Sequence, residues 1–167
     1  MQFSIQKLGS ADAEDYRALR LDGLARHPEA FGASFEEEDG LSIAAFAERL
    51  EGGRVFGARA CDRDVLLGTV GLRVSKDIKT RHRGLIWGMY VVPDAQGTGI
   101  GAALLRHVMD ESRHRVEQLY LAVEASNVSA QRLYGKAGFK QYGLERRAMK
   151  VGAIYHDLIL MDVRLQP

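Results

Sequence analysis

Apolar and polar residues change their spacing along this chain in a way that separates strands from helices. Phe3 and Ile5 alternate with polar neighbours, the period-two pattern of a short half-buried strand. From residue 12 to 26 the spacing becomes helical, with Tyr16, Leu19, Gly23 and Leu24 near one face. His27-Pro28 sets the expected end of that helix, because proline disfavours the α conformation of the residue before it. A loop follows, rich in Gly and acid, from Phe31-Gly32-Ala33-Ser34 to Glu36-Glu37-Glu38-Asp39-Gly40. Ser42 is then placed to cap a second helix in which Ile43, Phe46, Ala47 and Leu50 recur at helical spacing, and Gly52-Gly53 stops it. Strands are expected at residues 55–61, 65–74 and 85–92. The link Asp62-Arg63-Asp64 is short enough for a hairpin, Cys61 reads as a small apolar strand residue, and Trp87 reads as core.

In the second half, a Gly-rich loop leads into a helix over residues 99–115 with Ala103, Leu104, Leu105 and Val108 on its apolar side. A strand at 119–123, a helix opening near Asn127 and strands at 140–150 and 154–164 complete the chain. The nearly unbroken apolar run Leu158, Ile159, Leu160, Met161 and Val163 predicts a last strand covered on both faces. The order β-α-α-β-β-β-α-β-α-β-β predicts one α/β (α+β) domain over residues 1–167, a mixed central sheet of about seven strands flanked by about four helices.

Composition narrows the partners. With 23 basic and 22 acidic residues the net charge is +1, so the basic excess of a nucleic-acid or membrane-surface protein is missing and neither partner is expected. One cysteine allows neither an intramolecular disulfide nor a cysteine metal cluster, and no metal is expected. The N-terminal residues lack the apolar core of a signal peptide and no apolar run approaches membrane-spanning length, so the default expectation is cytoplasmic.

The candidate chemistry lies in Tyr90-Val91-Val92-Pro93-Asp94-Ala95-Gln96-Gly97-Thr98-Gly99-Ile100-Gly101-Ala102. A strand delivers the chain to a loop where glycines remove side chains, and the next helix begins with free N–H groups and the positive end of its dipole. That combination suits a pyrophosphate, though a tight turn needing glycine for positive φ has the same composition. Gly97, Gly99 and Ala102 also satisfy the dinucleotide pattern, with Glu124 at a strand end about 20 residues on. Pro93-Asp94-Ala95-Gln96 intervene where a Rossmann turn would follow its strand directly, and no Gly-Lys-Ser/Thr follows as a P-loop requires.

Gln96-Gly97-Thr98-Gly99-Ile100-Gly101 resembles the acetyl-CoA loop of the GCN5-related N-acetyltransferases, Gln/Arg-x-x-Gly-x-Gly/Ala. Asn127-Val128-Ser129-Ala130-Gln131-Arg132-Leu133-Tyr134-Gly135-Lys136-Ala137-Gly138-Phe139 resembles their second signature, Asn-x-x-Ala-x-x-Leu-Tyr-x-x-x-Gly-Phe, in the right order and at the right distance. The resemblance implies acetyl-CoA as co-substrate. It implies main-chain pairing with the pantetheine arm at Met89, Tyr90 and Val91, and amides of Gly97, Thr98, Gly99, Ile100, Gly101 and Ala102 on the pyrophosphate, with Gln96 opening the loop. Asn127 is implied to touch pantetheine, beside its plain role as helix cap. Tyr134 is implied to protonate the leaving thiolate as general acid. Leu133 and Phe139 read as core, Gly138 as the left-handed helix end, and Arg132 and Lys136 as solvated surface within reach of a CoA phosphate.

The general base is less defined. Leu85-Ile86-Trp87-Gly88-Met89-Tyr90 holds no acid and Ala122 occupies a position where relatives place one, which leaves Glu124, His82, His156 and Asp157. The acceptor pocket implied by the family falls at residues 31–39 and 148–155, where Glu36-Glu37-Glu38-Asp39 can attract a cationic amine. Dimers are frequent in the family. The expected activity is acetyl transfer to a primary amine of a small molecule or peptide, by direct attack. The alternatives are a non-catalytic acyl-CoA-binding module of the same fold and a nicotinamide-dependent enzyme.

Overall fold

A computed structural model describes residues 2–165, so the two ends of the expected 1–167 domain lie outside the described residues. Seven strands form one sheet in the order β1-β2-β3-β4-β5-β7-β6. They are β1 (Phe3–Lys7), β2 (Arg54–Ala60), β3 (Leu66–Val74), β4 (Arg83–Val91), β5 (Gln118–Glu124), β6 (Lys140–Val151) and β7 (Ile154–Arg164). The helices are α1 (Ala13–Arg26), α2 (Phe35–Asp39), α3 (Ile43–Gly52), α4 (Ile100–Ser112) and α5 (Val128–Lys136). Every strand pair is antiparallel except β4–β5. The mixed α/β expectation therefore holds.

The helices divide between the two faces of the sheet. On one face Ile100, Leu104, Leu105 and Val108 of α4 and Tyr134 of α5 pack on Val70, Leu72, Leu119, Leu121 and Val123. On the other, Tyr16, Leu19 and Leu24 of α1 and Phe46 and Leu50 of α3 pack on Val55, Leu66 and Tyr90. These two apolar layers supply the main drive to fold.

Four local expectations are corrected. Residues 35–39 form a helical turn, because Ser34 accepts the Glu37 N–H while the Glu37 carboxylate accepts the Ser34 N–H, a capping box hidden in an acidic run. Cys61 lies beyond β2 in the turn and is exposed. Trp87 is half-buried at the margin of the second core layer. The apolar β7 is covered on one face only: Ile159, Met161 and Val163 meet the first layer. Leu158 and Leu160, opposite Glu124 and Ala122 across the β5 register, stand half-exposed on the other.

Two features of the sheet position the site. Thr69 pairs with Tyr90 but Gly71 pairs with Trp87, so β4 carries one extra residue there. Gly88 occupies the bulge at φ 62°, a conformation glycine takes without strain. Beyond residues 83–85 and 118–120, β4 and β5 are no longer paired. Residues 86–91 and 121–124 therefore diverge and leave a wedge open in the sheet.

A buried ion cluster ties α1, α2 and α3 beside that wedge. Glu38, only 6% exposed, accepts from Arg20 Nε and Nη2 at 3.0 and 3.1 Å and from Arg49 at 3.2 and 3.3 Å. Burial pulls the Glu38 carboxyl up, but the bonds and charge of Arg20 and then Arg49 outweigh it and hold the group below the usual carboxylate range. Because the folded value is depressed, this stabilisation is complete above the ordinary carboxylate range and is lost as pH falls through the folded value. Glu38→Ala, which leaves two arginines unpaired, should cost about 3–5 kcal/mol in denaturant unfolding and remove part of the acid sensitivity of the wild type.

Candidate functional site

A cleft of about 870 Å³ opens in the wedge between β4 and β5. Met89, Tyr90 and Val91 line one wall, with Gln96, Gly97, Gly99, Gly101 and Ala102 at its mouth and Glu124, Ser126 and Asn127 on the far wall. The two sequence segments singled out separately thus meet across one opening.

The loop from β4 to α4 is built to expose its backbone. Gln96 Nε2 donates to the Val91 carbonyl at 3.0 Å and Thr98 Oγ1 donates to the Ala95 carbonyl at 2.6 Å, so both side chains fold the loop on itself. Gly97 and Gly99 hold φ of 75° and 92°, and a Cβ on either would meet no neighbour within 4 Å. The Ile100 side chain is fully buried, which leaves its N–H as the group it can present. The start of α4 is therefore a cradle of main-chain donors at the positive end of the helix dipole.

Across the wedge, Asn127 caps α5: its Oδ1 accepts the Ala130 N–H at 3.0 Å. Its Nδ2 has no partner among the described residues and the residue lines the cleft, so capping and ligand contact are compatible. Arg132 and Lys136, expected as solvated surface, are exposed and also line the cleft. Leu133 likewise faces it, whereas Phe139 is core and Gly138 ends the helix at φ 98°.

Tyr134 is 7% exposed and lies edge-on to Phe139 at 5.9 Å. It stands one helical turn after the cleft-lining Ala130 but is not itself among the lining residues. Burial alone pushes its phenol up to about 12, and no described residue hydrogen-bonds its hydroxyl. Among the described residues Arg20 Nη1 is the one sealed polar side-chain atom without a partner, so the Tyr134 hydroxyl, also unpartnered, keeps contact with open space.

The four base candidates separate clearly. His82 is exposed in the connection before β4. Asp157 accepts the Arg147 N–H at 2.8 Å within the β6–β7 bulge. Glu124, by contrast, is 6% exposed in the cleft wall, and His156 Nδ1 stands 3.3 Å from its Oε1. Burial raises the Glu124 carboxyl, but hydrogen bonds from the Ser126 side chain and backbone and from His156 bring it below the ordinary range. Their separation of 32 residues hides this pair from any local pattern.

The acidic run 36–39 is largely engaged internally. Glu37 closes the α2 cap, Glu38 is ion-paired and Asp39 pairs with Arg17 at 3.0 Å. The expected attraction for a cationic amine has Glu36 as its one remaining carboxylate.

Family and fold comparisons agree with this geometry. The family model described as Acetyltransferase (GNAT) family matches residues 16–139, which span α1 to the end of the second signature. This chain belongs to the GNAT family. One relative, the ribosomal protein bS18-alanine N-acetyltransferase of Escherichia coli, is 38% identical over 77 residues, 46% of this chain and 52% of that protein. The mycothiol acetyltransferase of Beutenbergia cavernae is 30% identical over 149 residues, 84% of this chain and 48% of that protein. The chain thus spans about half the length of these curated relatives. Among solved structures, a GNAT acetyltransferase of Streptococcus pneumoniae aligns with TM-score 0.86 at 19% identity, covering 99% of this chain and 100% of that one. A GNAT phosphinothricin acetyltransferase of Sinorhizobium meliloti, in complex with acetyl-CoA, aligns with TM-score 0.85 at 19% identity over 99% of this chain and 89% of that one. No helix among the described residues is long and apolar enough to cross a membrane, and no group of three or more His, Cys, Asp or Glu among them is placed to hold a metal.

The double role of Asn127 is separable. Asn127→Ala should lose the cap and about 1 kcal/mol of stability, whereas Asn127→Asp should keep the cap and the stability while deleting the free N–H₂ donor. Thermal unfolding of the two variants checks this.

Proposed function

We propose that this chain transfers an acetyl group from acetyl-CoA to a primary amine of a small molecule or peptide, by direct attack, with Tyr134 as general acid. The observation that carries the reading is the open wedge between β4 and β5, which brings the donor cradle at Gly97–Ala102 and the free amide of Asn127 to one cleft. The residues fit the cofactor. Diverging strands leave main-chain groups of Met89, Tyr90 and Val91 for the pantetheine arm, and the bare glycine loop admits a pyrophosphate against N–H donors. The amine acetylation named for the relatives points the same way.

Each chemical step then has a residue. The amine must give up a proton, and the Glu124–His156 pair in the cleft wall accepts it. Amine attack forms the C–N bond, and the C–S bond breaks as CoA departs. Tyr134, protonated throughout the neutral range, donates its proton to the leaving sulfur. No covalent enzyme intermediate is needed, and Cys61, exposed in the β2–β3 turn, stands among none of the cleft residues.

Isothermal titration should show saturable acetyl-CoA binding of micromolar strength, about −8 kcal/mol, with no binding of NAD as control. Absence of acetyl-CoA binding would make the enzyme reading wrong. Tyr134→Phe should reduce kcat by roughly 10²-fold or more with little change in acetyl-CoA affinity. Full turnover in that variant would remove Tyr134 from the mechanism, whereas acetyl-CoA binding without turnover of any amine by the wild type would favour the non-catalytic acyl-CoA-binding alternative. Glu124→Gln should lower kcat comparably and abolish the acid limb that wild-type activity shows as pH falls through the depressed Glu124 value, where the carboxylate takes up its proton.

A further inference from the structure

A second cavity, of about 780 Å³, lies beside the wedge on the sheet face that carries α1 and α3. Its floor is Leu85, Trp87, Ala122 and Leu158, and Arg20, Glu38, Arg49 and Arg73 stand along its side. Phe31, Ala30 and the Gly88 bulge belong to it as well, and the first two also line the cofactor cleft, so the two spaces share a wall.

Charge in this cavity does not balance. Two arginines, Arg20 and Arg49, converge on the single buried carboxylate of Glu38. Two more arginines line the cavity, Arg54 and Arg73; neither has a carboxylate partner among the described residues, and Arg73 extends over the Trp87 ring at 6.0 Å from its centre. Arg20 approaches the same ring at 5.8 Å and Phe31 at 5.1 Å. The remaining acid of the lining, Glu48, is exposed and engages none of these arginines. One unit of positive charge is thus left over in the Arg20–Glu38–Arg49 cluster, at a place where burial weakens its hydration.

An independent observation marks where a counter-charge is missing. Arg20 is 7% exposed, and its Nη1 is sealed from solvent without any hydrogen-bond acceptor. That nitrogen lies beside Gly88, at 3.3 Å from the position a Cβ would take there, on the bulge that separates the two cavities. A buried guanidinium N–H without an acceptor is costly, and an anionic group in the adjoining cavity would offset the uncompensated charge of the cluster.

Resting on the acetyltransferase reading above, we propose that the acceptor is an amine that carries an anionic oxygen group, of which the free α-amino acid is the simplest form. Its carboxylate lies toward Arg73 and the Arg20–Arg49 cluster, its apolar part lies on Leu85, Trp87 and Leu158, and its amine points past Gly88 into the wedge. This reverses the polarity expected from the acidic run, because Glu37, Glu38 and Asp39 are already engaged.

The test uses the full chain with acetyl-CoA and reads thiol release against a panel of L-α-amino acids, their amides and the matching decarboxylated amines. The carboxylates should be preferred by roughly tenfold or more in kcat/KM, since a charge-assisted contact is lost in the other two sets. Arg73→Gln should raise KM for the preferred amino acid about tenfold and leave the values for its amide unchanged; Arg73 is a surface residue, so the variant should fold. Equal or better turnover of the amides or simple amines overturns the proposal, as does acetyl-CoA binding without acetylation of any carboxylate in the panel. Failure to bind acetyl-CoA at all would instead overturn the reading on which the proposal rests. Calorimetry with CoA present adds a readout free of turnover: the N-acetyl product of the preferred amino acid should bind more tightly than its N-acetyl amide, and equal binding counts against the proposal.

Discussion

Everything that resembles a site in this protein depends on one interruption of the sheet. β4 and β5 pair over only three residues each and then part, although both strands continue. Backbone donors and acceptors in the separated segments would be costly if buried and unpaired, so the opening demands either solvent or a ligand with hydrogen-bonding groups of its own. The bulge at Gly88 turns β4 away from β5, and the antiparallel pairing of β5 with β7 holds β5 on its own course. A ligand running beside β4 would complete the sheet where the chain does not.

Around that opening the fold makes two different chemical environments from one sheet. In the cleft proposed for the cofactor, the polar groups at the glycine loop are main-chain amides and the loop leaves them bare. In the second cavity, proposed for the acceptor, the polar groups are arginine side chains fixed by a buried carboxylate and stacked on aromatic rings. A backbone cradle tolerates sequence change and suits a constant co-substrate, whereas a side-chain cluster changes with single substitutions and suits a variable acceptor. Tyr90 links the halves: its hydroxyl donates to Asp22 of α1 at 2.6 Å, fastening the helix that carries Arg20 to the strand that lines the cleft.

Much of this was legible from the chain alone. The helical spacing of Tyr16, Leu19 and Leu24, the strand patterns and the cap at Ser42 all appear where periodicity placed them. Both signature segments are local in sequence, and their roles as a glycine turn before α4 and a capped helix α5 follow from dihedral preference and capping. What failed were inferences about environment. The acidic stretch 36–39 looked like a solvated loop, yet Ser34 and Glu37 form a capping box and Glu38 is buried by two distant arginines. The apolar run of β7 predicts cover on both sides, yet Leu158 and Leu160 belong to neither apolar layer.

The sequence by itself determined the strands, four of the five helices, their order, the family resemblance and the glycine turn and capped helix of the two signature segments, because each of these is set by interactions within a few residues. Only the tertiary structure decided which charges remain free, where β4 and β5 separate, that Glu124 meets His156, and that four arginines share a cavity with one buried acid. Those properties arise between segments tens of residues apart, where burial and mutual distance, rather than residue type, fix the electrostatics.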